Sequence, residues 1–227
     1  MGIFGGGQKG DLSGYNCSQV NALRDVINNV AEKAGQSIVD RLHADIVVPM
    51  SSVWYAPEAI TFFNGLAETV LKSGPNVTAT FDAFRTAVQA AGNAWAENTG
   101  GERAVLSPIS EIQLVLNVSD MKDNNAGNVT IDETQATAIA NSLGSVEQEM
   151  RKDLETLAGV LNAESAFIGH GQSDALRNCF VTLSGEIHKI FKYLTEGETG
   201  LQTQINKAVQ KYQQVSSDVS SAFNNQA

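Results

Sequence analysis

The chain has 227 residues, 42% of them apolar and 18% charged, which suits one or two domains burying roughly 70% of their unfolded surface. Its formal charge of -10 disfavours nucleic acid and anionic membrane as partners, because attraction to phosphate depends on Lys and Arg. Two cysteines, Cys17 and Cys179, are too few for a disulfide framework. The longest aliphatic run, Ile46-Val47-Val48, falls far short of the ~20 residues of a membrane helix, so no membrane insertion is expected.

Residues 1–17 read as a flexible arm, with six glycines in the first 14 positions. The arm lacks the basic-then-apolar layout of a cleaved signal peptide, and Gly6 stands where a myristoylation site has Ser or Thr. Ser18 is the expected N-cap of a first helix. Val20, Leu23, Ile27, Val30, Ala34, Ile38, Leu42 and Ile46 then recur every three or four residues, one stripe along about 45 Å of helix. Pro49 has no N–H to donate and should kink or end that helix near residues 45–48.

The stretch Val53-Trp54-Tyr55-Ala56-Pro57-Glu58-Ala59 leads into a second helix. Pro57 suits the first turn, where its missing donor costs nothing, and Glu58 meets the positive end of the helix dipole. A second stripe runs through Ala59, Phe62, Phe63, Leu66 and Val70, then resumes at Val77, Phe81, Phe84, Val88, Ala91 and Trp95. Between them, Ser73-Gly74-Pro75-Asn76 predicts a kink or a break. The run stops at Asn98-Thr99-Gly100-Gly101. Residues 18–100 therefore read as a first helical hairpin.

Residues 101–131 form a linker of different character. Ile112, Leu114, Leu116 and Val118 alternate with polar residues, a period of two that predicts a short strand. Asn128-Val129-Thr130-Ile131 is the candidate partner strand, so the linker is either a β-hairpin or an irregular connection. Residues 132–224 read as a second hairpin. Thr130 and Glu133 have capping-box spacing, and Ala136, Ile139, Leu143, Val146, Met150, Leu154, Leu157 and Leu161 form the next stripe. A fainter copy of the first turn follows at Ala166-Phe167-Ile168-Gly169-His170, with Ser173 or Asp174 placed to cap a fourth helix. That helix carries Leu176, Phe180, Leu183, Ile187, Ile190, Phe191 and Leu194. It breaks at Glu196-Gly197-Glu198-Thr199-Gly200 and completes its stripe with Leu201, Ile205, Ala208, Tyr212, Val215, Val219 and Phe223.

The expected fold class is all-α: two tandem antiparallel hairpins whose stripes must be buried, packed as a four-helix bundle. Chemistry is hard to place on it. The loop 122–133 has Gly127 and Glu133 at EF-hand positions, but Lys122 and Ala126 stand where oxygen ligands are required. His170 and Cys179 have no companions at metal-ligand spacing. Acid pairs such as Glu147 and Glu149 point to different helix faces. No catalytic, cofactor-binding or metal-binding residue is predicted, and no enzyme. Trp54, at a hairpin tip, is either core or part of a surface groove for a partner.

A long helix, a Trp-x-Gly turn and an acid-Ala pair opening a second helix form the pattern of the WXG family, small helical proteins associated with type VII secretion. Trp54-Tyr55-Ala56 resembles that turn with Ala for Gly, and Phe167-Ile168-Gly169 resembles it with Phe for Trp. Glu58-Ala59 and Asp174-Ala175 match the acid-Ala pair. The resemblance implies a single-chain pseudo-dimer that binds protein partners, either secretion machinery or a co-encoded toxin. Trp54, Ala56, Glu58, Phe167, Gly169 and Asp174 would then form the turn motifs and a partner groove. It also implies a bacterial cytoplasmic protein, or one exported by the non-classical type VII route. The family's export signal, Tyr-x-x-x-Asp/Glu, is not matched: Trp95 is followed by Thr99, and Tyr212 by Ser216 with Asp218 six residues on. Export would then depend on a partner's signal, or the chain acts inside the cell as a chaperone-like companion. The alternative is a structural α-helical protein that self-assembles, such as a phage or cell-envelope component.

Overall fold

The computed structural model describes residues 16–122, 130–163 and 171–224. The protein is mostly helical, with helices α1 (Cys17–Leu42), α2 (Val48–Ser51), α3 (Pro57–Thr99), α4 (Glu133–Ala163), α5 (Gly171–Thr195) and α6 (Leu201–Asn224). Two short strands, β1 (Trp54–Tyr55) and β2 (Thr130–Ile131), make one antiparallel pair. Two compact units each draw on three separated stretches of chain. The first comprises Met1–Ile38, Lys72–Leu114 and Met150–Glu186; the second comprises Val39–Leu71, Val115–Glu149 and Ile187–Ala227. Each unit thus takes residues from both predicted hairpins and from the linker.

In the first unit α1 begins one residue before the predicted cap. Asn16, not Ser18, accepts the Gln19 N–H on its side-chain oxygen at 3.1 Å and the Val20 N–H on its carbonyl at 2.9 Å. The predicted stripe is buried from Val20 to Ile38. On α3 the stripe is buried through Val88, after which it passes through Gly92 and Ala96 and leaves Ala91 exposed. The end of α3 is a Schellman stop: Gly100 has φ +68° and the Gly101 N–H returns to the Ala96 carbonyl at 3.0 Å.

Pro75 does not break α3. The hydrogen bond it forfeits belongs to the carbonyl of Leu71, and both residues are exposed, so water can reach the orphaned oxygen. Gly74, on the buried side, lies against the linker: a Cβ there would stand 2.6 Å from the Ile112 carbonyl oxygen.

The linker forms no strand at 112–118. Residues 103–114 instead lie as an extended strap against α1 and α3, with Ala104, Leu106, Ile109, Ile112 and Leu114 buried. Helix side chains satisfy the strap backbone. Asn21 and Asn28 of α1 accept the N–H groups of Val105 (3.0 Å) and Ser110 (2.7 Å). Gln89, Asp82 and Thr78 of α3 accept those of Leu106 (2.7 Å), Ile109 (3.2 Å) and Ile112 (2.9 Å). Arg85 donates to the Leu106 carbonyl at 2.6 Å, and Arg24 to the Pro108 carbonyl at 3.0 Å. Along the strap these partners climb α1 and descend α3, so the two helices run antiparallel. Buried backbone groups need such partners wherever no second strand supplies them. Arg85, itself 8% exposed, is held by Asp82 at 2.7 and 3.0 Å. That guanidinium, helped by the Ile109 N–H, keeps the Asp82 carboxyl below its ordinary range.

In the second unit α1 runs into one π-helical turn, His43–Val47, in which the Val48 N–H reaches back to the His43 carbonyl. The wide turn comes immediately before Pro49, whose ring would crowd the carbonyl four residues earlier in an α-helix. Arg41 bridges Asp45 at 3.2 Å and Glu149 of α4 at 2.8 Å. Strand β2 pairs not with the linker but with β1, Trp54 opposite Ile131 and Tyr55 opposite Thr130. With Thr130 in a strand, the cap of α4 moves to Asp132, which accepts the Gln135 backbone N–H at 3.0 Å and its side-chain amide at 2.6 Å. The break after α5 is as predicted: Gly197 takes φ +66° and a 3₁₀ turn, Gly197–Thr199, leads into α6. On α6, Leu201, Ile205 and Ala208 are buried, but residues 211–223 are exposed throughout, against the expectation that the stripe would continue in the core.

Candidate functional site

The turn between α1 and α3 is built from short-range bonds. The Val53 N–H donates to the Met50 carbonyl at 3.1 Å, and the Ala56 carbonyl accepts from Ala59 and Ile60 at 3.0 and 3.3 Å, which starts α3 at Pro57. Trp54 is fully buried, and Ala56 and Ala59 are 1% exposed. The Asp132 N–H donates to the Val53 carbonyl at 2.8 Å, so the turn of the first hairpin also fastens the residue that caps α4. Trp54 lies 6.4 Å from Phe62, whose ring stacks on Tyr193 of α5 at 5.7 Å. The Trp54 indole N–H meets no acceptor among the described residues.

Beside this cluster is an open cleft of about 420 Å³, bordered by Glu58, Thr61 and Phe62 of α3, Tyr193 of α5 and Gln204 of α6. Gly65 makes room for Tyr193, because a Cβ would run into its hydroxyl. That hydroxyl donates to the Phe62 carbonyl at 3.4 Å, and burial, with Glu68 nearby, raises its pKa. Glu58 accepts a hydrogen bond from Lys211 of α6, which holds its carboxyl below the usual range.

Of the six predicted motif residues, Trp54, Ala56 and Glu58 come together at this turn. Asp174 is exposed in the first turn of α5, and Phe167 and Gly169 lie outside the described residues. His170 and most of the EF-hand-like loop also lie outside them. Cys17 and Cys179 are free thiols, and burial pushes Cys179 up to about 12. Among the described residues no group of three His, Cys, Asp or Glu side chains is placed to hold a metal ion, and no helix is long and apolar enough to cross a membrane.

Two features were missed by the sequence reading. The cleft walls come from three helices, and no local pattern joins residues 58, 193 and 204. The uncovered end of α6 did carry a signal: Leu201, Ile205, Ala208, Tyr212, Val215, Val219 and Ala222 alternate steps of four and three, the seam of a coiled coil. No protein-family model, curated protein or solved structure matches the chain.

Proposed function

We propose that the chain is a tandem WXG-like protein of a type VII secretion pathway, a substrate or accessory partner that works by helix-to-helix recognition. In this reading the two hairpins close on one another as a four-helix bundle. The observation that carries it is the first turn: Trp54 is buried in the turn that joins α1 to α3, Ala56 is packed where the family pattern has Gly, and Glu58-Ala59 opens α3. One further feature supports the bundle. Val30 and Ala34 of α1, Phe81 of α3, Leu154 of α4 and Leu183 of α5 border one small void.

The test is to follow the protein in culture supernatants of wild-type and secretion-defective cells, and in complexes with the products of neighbouring genes. The proposal expects export that depends on the secretion ATPase, or a stable complex with a co-encoded protein. Absence from both would overturn it. The uncovered end of α6 favours a second reading, a self-assembling structural protein. That reading predicts light scattering that grows steadily with concentration.

A further inference from the structure

Helix α6 outlasts the helix it packs against. Gln204 borders the cleft with Thr61, and Lys211 reaches Glu58, so advancing along α6 means moving back along α3. Because α3 begins at Pro57, α6 past Lys211 has no α3 beside it. The remaining stretch, residues 212–223, is about 18 Å of helix. Its large apolar residues are open to solvent: on the seam Tyr212 is 53% exposed, Val215 54% and Val219 49%, and Phe223 beside it 72%.

We propose that this overhang and the adjoining cleft dock an amphipathic helix of a partner protein. Its apolar face lies on Tyr212, Val215, Val219 and Phe223, and a basic side chain, best an arginine, enters the cleft against Glu58. This rests on the helix-recognition reading above and names the partner's chemistry.

Three observations choose this occupant. The first is the pattern itself: the four-three seam through Tyr212, Val215, Val219 and Ala222, with Phe223 beside it, is read by another helix, not by an extended chain or a flat surface. The second is charge. Glu58 stands at the head of the overhang, Glu68 lies close to Tyr193, and the whole chain carries -10, so a cation is drawn to this end. Lys211 already shows that the Glu58 carboxylate accepts an amine. That pair is two-thirds exposed on the lysine side and is worth at most about 1 kcal/mol, so a bidentate guanidinium can share or replace it. The half-buried Tyr193 ring, which borders the cleft, adds an aromatic surface suited to a planar cation. The third is size. Tyr212, Val215, Val219 and Phe223 leave roughly 500 Å² of mostly apolar surface uncovered, so docking would bury about 1,000 Å² in total, the size of a weak or transient interface.

The test titrates the full-length protein with a synthetic alanine-rich helical peptide carrying leucines on one face and one arginine. A twin peptide has glutamate in the arginine's place. The arginine peptide should bind with a Kd on the order of 10 µM, and its twin at least about tenfold more weakly. Glu58→Gln should erase that preference. The double variant Val215→Asp, Val219→Asp should weaken both peptides by about 100-fold without moving the thermal melt, because both residues are exposed. Equal binding of the two peptides, indifference to the double variant, or sedimentation of the peptide-free protein as a dimer through the overhang would overturn the proposal. Loss of peptide binding leaves the export experiment undecided by it, and failed export leaves the peptide result standing.

Discussion

Residues 103–114 and residues 212–223 are both apolar patterns on otherwise polar segments, and the protein treats them in opposite ways. The strap has strand-like alternation only at its end and no strand partner, yet Ala104, Leu106, Ile109, Ile112 and Leu114 are buried and its backbone is served by seven side chains of α1 and α3. The end of α6 has a cleaner pattern, a full heptad seam, yet lies open among the described residues. Period decides which side chains share a face. It does not decide whether this chain supplies the surface that covers them.

Truncating one side chain in each region widens the contrast. Leu114→Ala removes a fully buried strap residue and should cost about 3 kcal/mol in urea unfolding, whereas Val219→Ala, on the overhang, should stay within about 0.5 kcal/mol. Similar losses at both sites would mean that the overhang is covered. Glycine gives a contrast of sign. Alanine in a helix normally gains up to about 1 kcal/mol over glycine, and Gly159→Ala on the open face of α4 should show that gain. Gly74→Ala should instead lose about 2 kcal/mol, because the new Cβ meets the Ile112 carbonyl, a backbone atom that cannot rotate away.

Acid sharpens the comparison more gently. The folded pKa of Asp82 is lowered, chiefly by its hydrogen bonds to Arg85, so the unfolded chain binds its proton more readily. Its contribution is therefore complete above the unfolded value, roughly 3.9, and is lost as pH falls through the lowered folded value. Asp82→Asn should flatten the acid limb of the stability curve below about pH 4. Glu58 has the same sign through Lys211 but a more exposed pair, so Glu58→Gln should flatten it less.

Much of the helical framework was legible because it depends on local chemistry. The stripe from Val20, the stripe from Ala59 as far as Val88, the stop at Gly100, the break at Gly197 and the helix start at Pro57 all stand as read. What escaped the sequence depends on partners distant along the chain. Pro75 sits inside a continuous α3 because Leu71 and Pro75 share the wet face. Thr130 joins Tyr55 across 75 positions, which moved the cap of α4 to Asp132. The strand expected at 112–118 rested on the period of two from Ile112 to Val118, and nothing in residues 103–114 announces that Asn21, Thr78 and Gln89 will replace a neighbouring strand. At the candidate site, Trp54, Ala56 and Glu58 were named from the sequence, whereas Tyr193 and Gln204 arrive from helices whose own spacing gives no hint of the cleft.

Amide hydrogen exchange resolved by residue, on dilute full-length protein, bears most directly on the seating of the strap and the openness of the overhang. The N–H groups of Val105, Leu106, Ile109, Ser110 and Ile112 should be strongly protected although no strand pairs with them, while amides of residues 212–223 should exchange quickly. Strap amides exchanging at the rate of an unfolded chain, or an overhang protected as well as Ile205, would contradict both halves of the comparison.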